Sequence, residues 1–569
     1  MLNKVKSRLL SGKKIVAVIL FLLLIVGSSF AQTWQWARSA HGNNNEQGWS
    51  TASDAIGNVY LTGYFSSDTI IFGNDTLYGA YTIFIAKYDS SGNLLWAKNT
   101  GGGTATSIAV DAGDNAYIAG YFGSGTPVFI FGNDTLYNAG QSDILILKYD
   151  SSGNELWARS TTGGIWLDRA SDIATDIYND IYVTGSFASP YISFGSIFFF
   201  NAQQSSPYGS DFFIAKYDSS GNVIWAQGAG AVYDEGGSSI TTDLIGNVYV
   251  AGDIGSAYFY IGSNILINSG VGAYDIFIAK YDSAGNVLWA KSAGSTNNDQ
   301  PADINVDNNG NAYVTGMFQS PSIVFGNDTL VNSSTSIDIF IMKYDSSGTT
   351  MWARSAGGVS ADYGTGITSN SNGNAYATGH FNNTITFGSF TFSTVGLDDI
   401  YIVKYDSSGN VLWAARAGGA NNDNGNAICS DANGNVFVTG YFSSTSIIFG
   451  NDTLINADQI SPYTLEIFIA KLHDPVITDI PDNTTSISQI NLFPNPASNQ
   501  LTIESSKFKV QSVEVYDVMG KRCLSALTPN PSPGGEGSAS IDVSKLASGI
   551  YFVKVKTKEG ESAAKFVKE

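Results

Sequence analysis

Cysteine is almost absent from this sequence, with two residues, Cys429 and Cys523, in a chain of 569. Two thiols in different parts of the chain make a poor disulfide framework, so the fold has to rely on buried apolar cores. Histidine is equally scarce, and its three residues do not combine with cysteine at metal-ligand spacing. The sequence excludes a disulfide-stabilised scaffold and gives no support for a zinc site.

Positive charge and proline are also in short supply. Lys and Arg total 29 against 49 Asp and Glu, which gives a formal net charge of −20. A surface this acidic opposes binding to a phosphate backbone, so we expect no nucleic-acid partner. Only 13 residues are proline, whereas 62 are glycine and 13% are aromatic. This balance is typical of many short strands joined by tight turns, and it predicts an all-β protein.

The apolar run near the N-terminus is short. Five basic residues precede the run Ile15–Val26, and small residues follow it at positions 29 and 31. About 20 apolar residues are needed to span a bilayer, so this run predicts a cleaved secretory signal peptide over residues 1–31. A membrane anchor is the alternative. Once the signal is removed, we expect no transmembrane span.

A repeat fills residues 34–472. Its clearest phrase runs from Phe84 through Lys87 to Trp96, and its lysine recurs up to Lys471 in six steps of about 64 residues. A second phrase, at residues 57–65, occurs seven times. Each unit is predicted to form four strands joined by Gly/Asn turns, with an extra edge or loop at residues 72–77 between the second and third strands. Seven units of four strands predict a seven-bladed β-propeller.

Two partial units at the ends of the repeat predict how the ring closes. Residues 34–38 form a Trp-Ala strand with no strand before it, and residues 467–472 form a strand that lacks a Trp-Ala strand after it. If the two pair, neither leaves a bare edge. A linear solenoid, the alternative, would leave both partial units unpaired.

The repeated phrases resemble the SBBP family of bacterial β-propeller repeats. The resemblance covers about 440 residues. It rests on the repeated phrases that contain Gly-Asn-Val-Tyr-Leu-Thr-Gly and that end in Trp-Ala. It implies a propeller fold in a secreted or surface protein, and it implies no defined activity.

Residues 486–569 resemble the C-terminal sorting domain (type A) of the type IX secretion system of Bacteroidetes-type bacteria. The match runs through Asn491–Pro496, Val515–Lys521 and Lys565–Glu569, with a Pro/Gly insertion at 528–537. The resemblance implies a small β-sandwich that engages outer-membrane secretion machinery and delivers the protein to the cell surface or the medium. The predicted domains are the signal peptide 1–31, the propeller 32–473, a linker 474–485 and the sorting β-sandwich 486–569.

One set of carboxylates recurs in the loop that follows the Trp-Ala strand. Propeller symmetry would place this set in a ring on one rim, where oxygen ligands could form weak calcium sites. The alternative is that each carboxylate caps its loop or pairs with the neighbouring blade. No other cofactor is expected. The residues are Glu46, Asp168, Asp234, Asp299, Asp362 and Asp423.

A second set of acids precedes the Gly/Asn turn, as at Asp54, and one unit has Asn370 there instead. Asp and Asn accept the same backbone N–H groups, so this exchange favours a turn cap over a requirement for charge. The repeated Trp are predicted to pack between blades. Trp49 and Trp166 lie outside that register and are candidate ligand-binding residues.

A modification is also predicted from the triplet Asp-Thr-Leu. It resembles the acceptor of O-glycosylation in the same bacterial group, which would place sugars at exposed blade edges. A strand-ending turn repeated for structural reasons is the alternative. The acceptor residues would be Thr76, Thr135, Thr329 and Thr453.

Catalytic motifs are missing: the sequence has no G-x-S-x-G elbow, no P-loop and no dinucleotide-binding fingerprint. We therefore expect a non-catalytic binding module whose partner is an extracellular protein or glycan. The alternatives are a polysaccharide-active enzyme that uses the funnel of the propeller and a structural spacer of the cell surface.

Overall fold

A computed structural model of the chain describes residues 33–123, 125–203, 209–270, 272–332, 334–457, 464–474, 490–505, 512–517, 522–527, 538–547, 549–557 and 560–568. Regular structure in these residues consists of strands without a helix, which confirms the predicted all-β class. In this part of the chain there is accordingly no apolar helix long enough to cross a membrane. The predicted signal peptide and all but the first residue of the predicted linker lie outside the described residues.

The chain divides into two compact units, Met1–Val476 and Ile477–Glu569. The first unit contains seven antiparallel sheets in which four strands follow one another in order. The strands, from first to fourth, are Glu46–Ser53, Val59–Phe65, Thr82–Tyr88 and Leu94–Gly102 in sheet 1; Thr104–Val110, Ala116–Gly123, Ser142–Tyr149 and Glu155–Ser160 in sheet 2; Asp168–Thr175, Ile181–Phe187, Asp211–Tyr217 and Val223–Ala229 in sheet 3; Glu235–Thr242, Val248–Ile254, Asp275–Tyr281 and Val287–Ala293 in sheet 4; Asp299–Val306, Ala312–Phe318, Asp338–Tyr344 and Thr350–Ala356 in sheet 5; Asp362–Ser369, Ala375–Phe387, Phe390–Tyr405 and Val411–Ala417 in sheet 6; and Asp423–Ser430, Asn435–Phe442, Glu466–His473 and Thr33–His41 in sheet 7.

The seven sheets contact one another in a closed series. The first strand of each sheet contacts the first strand of the next, and the first strand of sheet 7 contacts that of sheet 1. First-strand residues of all seven sheets line one cavity of about 360 Å³, which we call the channel. The first strands therefore surround a common space.

Sheet 7 joins the two ends of the repeat, as the partial units predicted. Its fourth strand, Thr33–His41, pairs antiparallel with Glu466–His473, with Ala37 opposite Ala470 and Ala40 opposite Ile467. No edge of Glu466–His473 is left bare, because its other edge pairs with Asn435–Phe442.

The second and third strands of the sheets are buried along almost their whole length, apart from the hairpin extensions of the two long strands in sheet 6. In sheet 3, for example, all seven residues of Asp211–Tyr217 are buried. Both faces are covered because a neighbouring sheet packs on each side, so these strands appear in the sequence as nearly continuous apolar runs rather than as alternating ones. The apolar clusters accordingly combine residues of adjacent sheets, such as Tyr117 and Ile144 of sheet 2 with Val183 and Phe213 of sheet 3.

The predicted extra element between the second and third strands is a short hairpin. The hairpins are Thr69–Phe72 with Asp75–Tyr78, Val128–Phe131 with Asp134–Tyr137, Tyr191–Phe194 with Ile197–Phe200, Tyr258–Ile261 with Asn264–Ile267, Ser322–Phe325 with Asp328–Val331, and Ser446–Phe449 with Asp452–Ile455. In sheet 6 the two long strands Ala375–Phe387 and Phe390–Tyr405 continue into the hairpin without a break. The short strand Thr162–Gly163 pairs with Tyr191–Phe194.

The second unit contains two antiparallel sheets. One has three strands, Ile490–Phe493, Gln500–Ser505 and Ser538–Asp542, and the other has four, Arg522–Leu527, Ser512–Asp517, Gly549–Thr557 and Gly560–Lys568, each in spatial order. Leu501 and Ile503 of the smaller sheet share one apolar cluster with Val513 and Val553 of the larger. The predicted insertion at 528–537 lies outside the described residues.

Candidate functional site

One end of the ring, which we call the turn rim, is formed by the turns that follow the first and third strands of the sheets. In the turn after the first strand of sheet 1, Oδ1 of Asp54 accepts the N–H groups of Ile56 and Asn58, at 3.2 and 2.8 Å. Gly57 has a φ of 86°, a left-handed conformation that favours glycine. The same side-chain cap holds the corresponding turns of the other sheets, which explains why this phrase is repeated.

The turn rim also ties each sheet to the next. Nε1 of Trp96 in sheet 1 donates to the carbonyl oxygen of Ser151 in sheet 2 at 3.2 Å. Nζ of Lys87 lies 3.5 Å from Asp54 and 4.5 Å from the centre of the Tyr60 ring. Equivalent Trp residues repeat the first contact around the ring, so the predicted packing of the repeated Trp between sheets is confirmed. Equivalent Lys residues repeat the ion pair with the turn aspartate in sheets 3, 4 and 5.

The junction between sheets 6 and 7 differs, because the fourth strand of sheet 7 is Thr33–His41, so no turn joins it to the third strand Glu466–His473. Asp474 fills the gap. Its carboxylate accepts Nε1 of Trp413 at 3.0 Å and the hydroxyl of Tyr376 at 2.6 Å, and it pairs with Nζ of Lys404. Asn370 lies in the same sheet as Lys404, where the other sheets have aspartate.

This junction corrects the interpretation of Asn370. In sheets 1, 3, 4 and 5 the turn aspartate forms an ion pair with the lysine of its own sheet. In sheet 6 the turn keeps only its capping role, and Asp474 supplies the negative charge beside Lys404. Charge is therefore used at this position, and the sequence comparison missed it because the compensating residue lies 104 positions away.

The opposite end of the ring, which we call the mouth, is formed where first strands begin and second strands end. The predicted carboxylate ring lies here, since Glu46, Asp168, Asp299, Asp362 and Asp423 are each the first residue of a first strand and are buried. The sequence placed these acids in the loop before the first strand, whereas these five begin the strand itself; in sheet 4 the strand begins at Glu235. Glu235 takes the buried position, and Asp234 lies in the preceding loop, where it accepts the N–H of Ser210 at 2.8 Å.

Each mouth carboxylate lies beside a second acid that the sequence reasoning missed. The N–H of Glu46 donates to Leu465 at 3.0 Å, and that of Asp299 donates to Tyr274 at 2.7 Å, so each reaches the residue just before the third strand of the preceding sheet. Those third strands begin with Glu466 and Asp275. The six neighbouring pairs are Glu46 with Glu466, Asp168 with Asp143, Glu235 with Asp211, Asp299 with Asp275, Asp362 with Asp338, and Asp423 with Asp399.

Burial raises the pKa of the six first-strand carboxyl groups, and the neighbouring acid raises it further in most of them. The pKa of Glu46 rises to about 8, that of Asp168 to about 7 and that of Asp423 to about 6, in each case mainly through loss of hydration. Hydrogen bonds from loop groups oppose the shift, as when Ser189 donates its N–H to Asp168 at 3.1 Å. At neutral pH a share of this ring is therefore uncharged.

Calcium at the mouth stays a prediction. The described residues contain no group of three His, Cys, Asp or Glu side chains that could hold a metal ion. Each junction provides two carboxyl groups, and one oxygen of Glu46 and one of Asp168 are buried without a hydrogen-bond partner. Loop N–H groups and hydroxyls already occupy the other oxygens, which corresponds to the predicted alternative in which each carboxylate caps its loop.

The seven repeats differ most from one another at the mouth. Of the seven repeated positions in each second strand, six carry a similar residue in nearly all sheets and are buried. The sixth position, which is Tyr64 in sheet 1, carries different residues and is half-buried. Its occupants are Tyr64, Tyr121, Ser186, Asp253, Met317, His380 and Tyr441. The residues opposite them in the first strands are equally varied, namely Gln47, Thr104, Arg169, Gly236, Gln300, Tyr363 and Asn424.

Several of these mouth residues have perturbed surroundings. His380 stacks on Tyr363 with ring centres 4.9 Å apart, and burial lowers its pKa to about 4, so its imidazole is neutral at neutral pH. Burial, reinforced by Asp234 and Glu235, raises the pKa of Asp253 to about 7. The guanidinium carbon of Arg169 lies 4.8 Å from the centre of the Tyr121 ring. The seven mouth positions therefore differ in charge and in shape.

The channel contains two carboxylates that are already engaged. The hydroxyl of Ser239 lies 2.6 Å from Asp172 and 2.8 Å from Asp303. Asp172 also accepts the N–H of Ile240 at 2.7 Å, and Asp303 accepts that of Ile367 at 2.7 Å, so each carboxylate bridges to the next sheet. These contacts fasten first strands to one another across the bulges in those strands.

The two predicted ligand-binding tryptophans do not come together. Trp49 lies at the bulge in the first strand of sheet 1, is 38% exposed and lines the channel. Trp166 lies in the loop before Asp168, where its N–H donates to Ser189 at 3.2 Å and its carbonyl accepts the N–H of Ser142. Neither tryptophan is among the varied mouth positions. An alignment of the seven repeats with one another would have found those positions, because they are the ones at which the repeats differ.

The four predicted acceptor threonines are exposed on the outer hairpins. The preceding aspartate has a structural role in at least three of them. Asp134 accepts the N–H of Ala158, Asp328 that of Ala353, and Asp452 that of Ala37, each at 2.8 Å, so the hairpin is held to the fourth strand. Glycosylation of Thr76, Thr135, Thr329 and Thr453 stays a prediction, which the intact mass of protein from its native cells would decide.

Two curated proteins are similar to this chain over part of their length. An uncharacterized WD repeat-containing protein, L264 of Acanthamoeba polyphaga mimivirus, is 25% identical over 517 residues, which cover 73% of this chain and 36% of that protein. The regulatory protein FlaEY of Caulobacter vibrioides is 28% identical over 232 residues, or 38% of this chain and 24% of that protein. The chain thus spans about a third or less of these relatives.

Solved structures that resemble the chain are more distant. The Dos1 propeller has a TM-score of 0.35 at 9% identity and covers 78% of this chain and 96% of its own. A structural genomics protein of unknown function from Bacteroides thetaiotaomicron has a TM-score of 0.31 at 12% identity, over 78% and 74% of the two chains. A puromycin hydrolase mutant complexed with PGG has a TM-score of 0.38 at 10% identity, over 81% and 58%.

The C-terminal unit has a family match of its own. Residues 491–569 match the model of the secretion system C-terminal sorting domain, which agrees with the resemblance found in the motifs at 491–496 and 565–569. A sorting domain of this kind directs the protein that carries it out of the cell. The chain is therefore a secreted or outer-surface protein that carries a C-terminal secretion-system sorting domain.

Proposed function

We propose that residues 32–473 form a seven-bladed β-propeller that works as a non-catalytic binding module at the cell surface or in the medium. In this proposal the ligand binds at the mouth, and residues 486–569 engage the secretion machinery as a β-sandwich. The closed series of seven four-stranded sheets around one channel supports the propeller. An extracellular protein or glycan is the partner we expect.

The observation that carries the proposal is the contrast within each second strand. Residues that hold the sheets together are repeated, whereas the half-buried position at the mouth changes from sheet to sheet. A purely structural spacer would gain nothing from seven different side-chain pairs at one end of its ring. A ligand that is not sevenfold symmetric needs a surface of this kind.

A binding screen with a matched pair of variants tests this function. The purified protein is applied to glycan and protein arrays beside a mouth variant, Tyr64→Ala with Tyr121→Ala, and a control variant, Tyr137→Ala with Tyr258→Ala, whose tyrosines are exposed on outer hairpins. We expect a signal that the mouth variant loses and the control retains. A ligand that all three proteins bind equally would contradict the placement at the mouth.

A polysaccharide-active enzyme is the second candidate, and one observation favours it. His380 is a neutral imidazole whose Nδ1 is buried without a hydrogen-bond partner, and it occurs in one sheet only. A single base of this kind is what an enzyme would place at a funnel. Incubating any bound glycan with the protein and with a His380→Gln variant separates the two functions, because only an enzyme releases smaller saccharides.

The export role of the C-terminal unit has its own test. Removing residues 486–569 should leave signal-peptide cleavage intact and hold the protein in the periplasm, because the sorting domain acts at the outer membrane. Cell fractionation measures this. If the truncated protein reached the surface or medium at the full-length level, the second unit would be an accessory β-domain instead.

A further inference from the structure

The junction between sheets 1 and 2 lacks the acid pair found at the other six junctions. Where those have a carboxylate at the start of the first strand and another at the start of the third, this junction has Gly103 and Thr82. A Cβ on Gly103 would lie 3.2 Å from Ile83 and 2.9 Å from the carbonyl of Tyr121, so the position has no room for a side chain. The mouth therefore has no pair of buried acids at the junction between sheets 1 and 2, unlike at the other six junctions.

A cavity of about 480 Å³ opens at this junction. Three tyrosines line it, Tyr64, Tyr81 and Tyr121, together with polar groups such as Gln141 and with Arg169. Its lining contains no Asp or Glu, although acids outnumber basic residues in the chain by 49 to 29. Its volume lies within the roughly 300–1,000 Å³ of small-molecule sites.

Arg169 is the one described arginine that forms no ion pair. Among the described arginines, Arg38, Arg159, Arg354, Arg416 and Arg522 each form an ion pair with an Asp or Glu. Arg169 is exposed, forms no ion pair within the described residues, and is held over the face of Tyr121 at 4.8 Å. The planar guanidinium is thus positioned and free to bind a carboxylate through two hydrogen bonds.

Tyr81 is held in an unusual conformation at the edge of the same cavity. Its φ is 57°, in the left-handed region that is unfavourable for a bulky side chain, and 69% of the residue is exposed. Burial cannot offset this strain, because the ring contacts solvent rather than a core. Strained residues of this kind are concentrated where a ligand is held.

We propose that this cavity binds a carboxylated saccharide of the uronic-acid type, which rests on the proposed function of the mouth as a binding site. The tyrosine rings offer flat faces for the apolar side of a sugar ring, and the amide and hydroxyl groups of the lining offer hydrogen bonds to its hydroxyls. Arg169 pairs with the carboxylate. The absence of lining acids removes the repulsion that an anionic ligand would meet at the other six junctions.

Glu46 does not oppose this assignment. It is the acid whose charge acts on Tyr64. Because burial raises its own pKa to about 8, it is largely protonated at neutral pH. An anionic saccharide would therefore meet Arg169 without a charged Glu46 beside Tyr64.

Calorimetric titration with a galacturonic acid trisaccharide and with the neutral galactose trisaccharide tests the proposal. We expect the acidic sugar to bind at least about tenfold more tightly, and Arg169→Gln to abolish that preference, since a charged hydrogen bond contributes about 1.5–3 kcal/mol, or roughly 10- to 100-fold. Arg354→Gln is the matched control, because Arg354 also lies over an aromatic ring, at 5.8 Å, but on a fourth strand away from the mouth. It should leave the preference unchanged.

The outcomes separate this proposal from the proposed function. Equal binding of the two sugars, no binding of either at millimolar concentration, or binding of tetraglutamate in place of the sugars would overturn the assignment of a carboxylated saccharide. If another array ligand is still lost in the Tyr64→Ala, Tyr121→Ala variant, the mouth remains a binding site. If the double variant retains every ligand, the proposed function itself is wrong.

Discussion

The turn rim and the mouth are the two ends of the same strands, yet one is built from identical parts and the other is not. At the turn rim the same aspartate, lysine and tryptophan recur, and where the chain ends interrupt them, Asp474 restores the contacts. At the mouth each sheet presents a different pair of side chains. The contrast indicates that the repeated contacts at the turn rim hold neighbouring sheets together. The side chains at the mouth can therefore differ from sheet to sheet.

Removing the strand that closes the ring should break the turn rim most severely. A chain without residues 33–41 loses the partner of Glu466–His473 and the buried Trp36, whose Nε1 donates to Ser90 at 3.1 Å. We expect loss of most of the cooperative melting transition, because a bare edge and an open channel remain. Calorimetry measures it, with removal of residues 486–569 as the control. An unchanged transition would show that the ring does not depend on this closure.

Asp474→Asn should have the next largest effect, because it removes a charge on which three donors converge. Lys404 would be left as an unpaired cation that is almost buried, and breaking a buried pair costs about 3–5 kcal/mol of unfolding free energy. Adding Asn370→Asp should restore part of the loss, since it recreates the lysine–aspartate pair of sheets 1, 3, 4 and 5. Urea unfolding of both variants checks this. A double variant no more stable than Asp474→Asn would contradict the compensation between the two positions.

The two ends should also respond to pH in opposite senses. Mouth carboxyls have pKa values raised by burial, so the folded state holds protons that the unfolded chain releases above about pH 4. Their contribution to stability is complete below that pH and is lost as pH rises to about 8. Turn aspartates such as Asp89 have lowered pKa values: loss of hydration raises the pKa, but the hydrogen bonds from Asn93, Ser91 and Gly92 together outweigh it. Their contribution to stability is therefore lost as the pH falls below about 4.

Glu46→Gln isolates the part of this pH dependence that comes from the mouth. The amide stays neutral at all pH values and can donate to Glu466, so the variant should gain roughly 1–2 kcal/mol over the wild type at pH 8.5 and little at pH 5. Unfolding by urea at the two pH values measures the difference. The same gain at both would mean that the carboxyl is ionised throughout.

The architecture could be predicted from the sequence because the same strand and turn pattern occurs in seven repeats. The turn caps, the four strands, an extra element between the second and third strands, and the joining of residues 34–38 to 467–472 all follow from local phrases and from what is missing at the two ends of the repeat. Sequence reasoning did not find the residues that depend on neighbouring sheets. Asp474 and the third-strand acids such as Asp275 act on partners in another repeat, and Glu235 rather than Asp234 takes the buried position in sheet 4 because the first strand begins at Glu235.

The smallest expected effect is the sharpest test of the comparison, since it uses two positions in one strand of sheet 5. Tyr313, near the turn rim, has its hydroxyl oxygen 2.7 Å from the carbonyl oxygen of Gly373 and 3.0 Å from the carboxylate of Asp307, and its one hydrogen can be donated to either. Tyr313→Phe should therefore cost about 1–2 kcal/mol by leaving a buried acceptor unsatisfied. Met317, four residues further on, is half-buried at the mouth. Met317→Tyr introduces the residue found there in sheets 1, 2 and 7, and should change the unfolding free energy by less than about 0.5 kcal/mol, as surface substitutions do. If both variants lost the same stability, the mouth would be as constrained as the turn rim, and its variety would need another explanation than ligand binding.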